Sequence, residues 1–234
     1  MRGERPLICC IEEKMDQKNK LKTSFGRFMV GMADLLILNL LWLVCSLPIV
    51  TIGPATCALY TVTLKIVRDE PVETLREFFR AFKSNFKNGF LYGIIALFAA
   101  AVIYADGIFA FSQEGSLKIV FCIVTGIVAA VYLTYICYIF ALQAQFENSF
   151  IAHIKNTFLL AIVAPGQTVL MWIVLAVPVL VILLLPEYIV AYIGFIFILF
   201  GISFPVYLNS KILIKIFSRF IPSEEPDEKE RITE

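Results

Sequence analysis

The chain has 234 residues, 59% hydrophobic and 17% charged, with a formal net charge of +1 and a mean hydropathy of +0.83. Soluble domains average roughly 45–50% apolar and about 25% charged residues, so the composition excludes an ordinary water-soluble globule, a disordered chain, a collagen and a disulfide-stapled scaffold. It indicates an all-α polytopic membrane helix bundle.

Residues 1–27 read as a polar cytoplasmic tail. Met1 to Lys20 lacks the apolar core of a secretory signal, and Met15 serves as a start as well as Met1 does. Cys9 and Cys10 are either lipidated at a membrane surface or two reduced thiols, and so loose a motif fits the thiols better. Cys45, Cys57, Cys122 and Cys137 sit in apolar stretches as small hydrophobes. With no CxxC spacing and His153 as the single histidine, no metal site is expected.

From Phe28 to Val67 only Asp34 and Lys65 are charged. This run is too long for one membrane helix of about 20 residues, and Pro48, Gly53 and Pro54 interrupt it. A helical hairpin is expected, with spans at 28–47 and 54–67 and a structural turn near the outer interface. Gly53 would supply a conformation closed to β-branched residues. Four further spans follow at 89–111, 118–142, 158–185 and 188–209, and residues 210–234 form a cytoplasmic tail. With six spans, 19 of the 20 Lys and Arg fall on one side, which the positive-inside rule makes cytoplasmic for both termini. A single first span would translocate Lys65 to Lys87 instead.

An interfacial helix is expected at 71–87, with Pro71 in its first turn and Glu70 and Glu73 at its positive end. At about 100° per residue, Leu75, Phe78, Phe79, Phe82 and Phe86 share an arc of about 100°, and Arg76, Arg80, Lys83 and Lys87 an adjoining arc of about 60°. An aromatic stripe beside a basic one suits a helix with rings in acyl chains and cations at anionic head groups. The same stripe suits packing on the protein's own bundle or on a partner. Gly89 and Gly93 form a GxxxG that favours packing within the chain.

Asp34, Lys65 and Asp106 lie close enough to span ends to reach the interface. Asn39 and Gln167 are the central polar residues, expected as interhelical hydrogen-bond partners. No titratable group falls at mid-span, which argues against an ion-coupled pump. Ala164-Pro165-Gly166 predicts a kink in the fifth span. The 143–157 loop has helical spacing, with Phe146, Glu147, Phe150 and His153, but matches a permease coupling motif poorly. No Walker A loop, GxSxG elbow or HExxH helix is present, so neither an enzyme, a cofactor nor a nucleic-acid partner is expected.

The stretch from Leu38 to Thr56, LNLLWLVCSLPIVTIGPAT, resembles the YesL family of bacterial integral membrane proteins of unknown function. The similarity continues through Ala58-Leu59-Tyr60, Lys65, Arg68-Asp69-Glu70 and the Phe78-Phe79 to Lys87 segment, and weakens in the later half. The residues before Met15 depart from the family pattern. Members are often encoded beside carbohydrate ABC importers, their binding lipoproteins, polysaccharide-degrading enzymes and two-component sensors. The resemblance thus implies a bacterial cell-membrane protein with an accessory or regulatory role in carbohydrate uptake, partnered by an importer permease and by anionic lipid. The alternative is a small-solute transporter or facilitator in its own right. Oligomeric state has no signature in the sequence.

Overall fold

The computed structural model describes residues 30–186, 194–195 and 197–219. The N-terminal tail with Cys9 and Cys10, the start of the sixth expected span and the tail beyond Arg219 lie outside the described residues. Every regular element among the described residues is helical. In chain order the principal ones are α1 (Val30–Cys45), α2 (Ile52–Val67), α3 (Thr74–Ser84), α4 (Phe86–Ser112), α5 (Gly115–Gln145), α6 (Phe150–Val163), α7 (Pro165–Leu184) and α8 (Ser203–Phe217).

Four helical stretches are long and apolar enough to cross a membrane, namely Ile49–Val67, α4, α5 and Pro165–Ile182. Side chains on α4 make the same point: Phe98, Tyr104 and Phe111 are at least 70% exposed. So much apolar surface is untenable in water and natural in lipid. The protein is a helical membrane protein.

The expected hairpin forms, with its bend earlier than expected. Pro48 has φ −74° and ψ 111°, which ends α1's course, and a single 3₁₀ turn at Ile49–Thr51 leads into α2. Thr51 Oγ1 lies 2.6 Å from both Cys45 O and Pro48 O and closes the bend. Pro54 is inside the first turn of α2, where its missing N–H has no intrahelical acceptor to lose. Trp42 Nε1 donates to Thr56 Oγ1 at 3.1 Å and ties the two arms together.

Gly53 has another role than the one expected. It lies in α2 and has no positive φ. A Cβ placed there would stand 2.0 Å from Gly89 O and 2.9 Å from Gly93 Cα. Small residues let two backbones touch, and Gly89 and Gly93 spend their GxxxG on this contact within the chain. Gly89 also faces Pro54 and Cys57, so α4 runs antiparallel to α2. The helix then continues from Ile94 to Ser112, about 28 Å at 1.5 Å per residue. The hairpin tip therefore lies level with the first turns of α4, well short of that helix's far end.

Helix α2 is the axis of the bundle, packing on α3, α4, α5 and α8. Ala55, Cys57, Ala58, Leu59 and Val62 are fully buried. Helix α8 extends past the expected span end at Asn209, because Ser210, Leu213, Ile216 and Phe217 continue its buried face. Thr63 and Ser210 join α2 to α8 by a 2.9 Å hydrogen bond. The expected fifth span divides at Ala164 (φ −126°, ψ 59°) into α6 and α7, since Pro165 starts a new helix readily at its first position and cannot continue an old one.

Candidate interaction interface on helix α3

Helix α3 turns one face to the bundle, burying Thr74, Phe78 and Ala81. On a helical wheel this face lies roughly 90° from the centre of the aromatic stripe, so the stripe straddles the edge of the contact. Phe78 is fully buried and Phe82 packs against the core. Leu75, Phe79 and Phe86 remain 56%, 47% and 42% exposed. Going round the helix, bundle, apolar surface and cations follow one another. That order suits a helix lying along a membrane interface beside its own protein.

The single helix expected over 71–87 is interrupted at Asn85 (φ −92°, ψ 6°), so Phe86 and Lys87 open α4. Asn85 Nδ2 donates to Ala81 O at 3.1 Å, and its Oδ1 accepts from Gln143 Nε2 on α5 at 3.0 Å. A side chain that bonds its own helix and a neighbour competes with continuation of the helix. Aromatic contacts bridge the break: ring centroids of Phe82 and Phe86 are 5.6 Å apart, and those of Phe86 and Phe90 6.2 Å.

Three other helices hold α3. Thr74 Oγ1 donates to Asp34 Oδ1 on α1 at 2.6 Å. Lys65 Nζ on α2 donates to Glu77 Oε2 at 2.8 Å, and Gln143 on α5 secures the far end through Asn85. Glu77 is mostly buried and also pairs with Arg80. The hydrogen bond from Lys65, more than the charges of Lys65 and Arg80, holds its carboxyl below the ordinary glutamate range. Arg76 reaches Glu73 at 3.3 Å on the exposed surface. Among the described residues, Lys83 and Lys87 take part in no salt bridge.

Sequence spacing did not bring out the Lys65–Glu77 pair or the Asn85–Gln143 contact. The available signal was Glu77's place on the wheel, away from both the aromatic and the basic arcs. Asn39 is fully buried. Its Nδ2 donates to Ile198 O at 2.7 Å, and its Oδ1 accepts from the N–H groups of Ile202 and Ser203 at 3.0 and 2.9 Å. It thereby caps the start of α8. Gln167 is half-buried on α7, and at its level the interhelical bond is Tyr138 to Thr168, at 2.8 Å.

Residues 35–107 match the family described as "Protein of unknown function, DUF624". This segment runs from α1 through most of α4 and contains the glycine contact and the Lys65–Glu77 pair. The chain is 29% identical over 160 residues to the uncharacterized protein YesL of Bacillus subtilis (strain 168), covering 65% of this chain and 74% of that protein. No solved structure matches the chain.

Proposed function

We propose that this chain, which on these matches belongs to the YesL family, is an accessory or regulatory membrane protein that docks through α3 on a partner, the permease of a carbohydrate ABC importer. The observation that carries the reading is the exposed stripe of Leu75, Phe79 and Phe86 beside Lys83 and Lys87. Such a surface fits a lipid interface with anionic head groups, and an acidic, apolar partner surface equally well. The partner's identity comes from the resemblance and not from the geometry.

In the proposed topology the α3 end of the bundle and both termini face the cytoplasm of a bacterial cell. Lys65, Arg68, Arg76, Arg80, Lys83 and Lys87 lie at this end, and the positive-inside rule supports the orientation. In this reading the chain crosses through α4, α5 and α7. The α1–α2 hairpin enters and leaves from the cytoplasmic side in this reading, in place of the two full crossings expected from hydropathy.

Replacing Arg76, Lys83 and Lys87 with Gln leaves the Glu77 pairing intact and keeps helix propensity. The variant should insert and melt like the wild type, yet lose co-purification with the importer permease from native membranes. Unchanged co-purification would overturn the docking surface. Sugar uptake by liposomes containing the purified chain alone would replace the accessory reading with a transporter.

A further inference from the structure

A cleft of about 590 Å³ opens between α3, the start of α4 and the C-terminal end of α5. Its size falls in the range of small-molecule sites, roughly 300–1,000 Å³. The carboxamides of Asn85, Asn88, Gln143, Gln145 and Asn148 line it, together with the Glu147 carboxylate. Glu77 and Arg80 also border it but are paired with each other, and Lys65 engages Glu77 from α2. The wall is thus almost charge-neutral apart from Glu147.

Its hydrogen-bonding capacity is only partly used. Gln143 gives its Nε2 to Asn85, and its buried Oε1 has no partner. Gln145 Oε1 accepts from Arg68 at 2.7 Å, which leaves the Gln145 amide N–H groups for another acceptor. Asn88 and Asn148 are exposed on the wall. Ala144 and Gln145 close α5, where carbonyls lack intrahelical donors. Phe146 adds an apolar side.

We propose that this cleft binds a neutral, hydroxyl-rich ligand of mono- to disaccharide size. A hydroxyl donates and accepts at once, so it answers both the unpaired Gln143 oxygen and the amide N–H groups. A phosphate or carboxylate would face Glu147 and helix carbonyls with no unpaired cation among the lining residues. An ammonium would leave the amide donors unanswered. The hydroxyls belong either to a free sugar or to the glycosyl head group of a lipid beside α3. This site is separate from the docking surface: Leu75, Phe79, Phe86, Lys83 and Lys87 do not line it.

The test uses the full chain in phosphatidylcholine nanodiscs, titrated by calorimetry with glucose, maltose, inorganic phosphate and spermidine. Parallel nanodiscs contain glucosyl diacylglycerol, with protein melting temperature as the readout. Saturable maltose or glucose binding identifies a free sugar. Stabilisation only in the glycolipid discs identifies a lipid head group. In either case Asn88→Leu with Asn148→Leu should weaken binding about tenfold, as expected for one or two lost hydrogen bonds, with an unchanged melting temperature of the unliganded protein. Gln145→Ala gives the same reading should the double variant fold poorly. The proposal is overturned by absence of any saccharide response in both discs, by phosphate or spermidine binding instead, or by saccharide binding that the variants leave unchanged.

Discussion

A methyl group at Gly53 would have to share space with the Gly89 carbonyl, 2.0 Å away. Both neighbours are backbone, so neither can rotate aside, and α2 and α4 must separate. Overpacking of this kind costs typically about 1–3 kcal/mol, occasionally more. Gly53→Ala is therefore expected to lower the melting temperature and folded yield by size-exclusion chromatography. Gly126→Ala, where a Cβ meets nothing within 4 Å, should leave both unchanged. Equal behaviour of the two variants would refute the close contact. Asn39 makes the complementary case. It is a polar residue in an apolar stretch whose Oδ1 accepts from two backbone N–H groups at the start of α8 and whose Nδ2 donates to Ile198 O ahead of it, so that buried backbone groups there are paired.

At the level of the element, α3 is secured by partners of different chemistry, and the Lys65–Glu77 pair responds to pH. Glu77 has a lowered carboxyl pKa in the folded protein, so its contribution is complete above the ordinary glutamate value of about 4.3. It is lost progressively as pH falls from there through the lowered folded value. Glu77→Gln should flatten the acid side of the stability profile between these limits and lower stability at neutral pH. A wild-type acid limb that the variant reproduces would exclude the pair as a pH-dependent clamp. The sequence made the amphipathic character of this segment legible, because periodicity depends only on spacing. It did not disclose the orientation of α3. Thr74, Ala81 and Asn85 are small or polar, and their face meets the bundle because Asp34 and Gln143 wait there with complementary groups. Partners 40 and 58 residues distant leave no periodic trace.

For the whole molecule, hydropathy located the apolar segments but gave no depth. Nothing in Leu47-Pro48-Ile49-Val50 distinguishes a turn at the far interface from one within the bilayer, since both are apolar. The decisive residues are three glycines on two helices, whose contact fixes the register of α2 on α4. Single cysteines on a cysteine-free background test the resulting depth. Ser84→Cys should react with a membrane-impermeant maleimide only from the cytoplasmic side, and Gly115→Cys only from outside. Ile49→Cys, although 64% exposed in the protein itself, should react from neither. Labelling of Ile49→Cys from outside would restore a full crossing for the hairpin.

The short reach of the hairpin along α4 would also shape the lipid around the protein. Helices α1, α2, α3 and α8 gather at one end, whereas the other end holds α4, α5 and α7 among the described residues. No residue of α5 before Thr134 is buried. A wedge of this form displaces more lipid area from one leaflet than from the other. In the proposed topology its broad end is best accommodated where the cytoplasmic monolayer has room to splay, and membrane curvature and lateral pressure would then act on the same contacts that hold α3 in place.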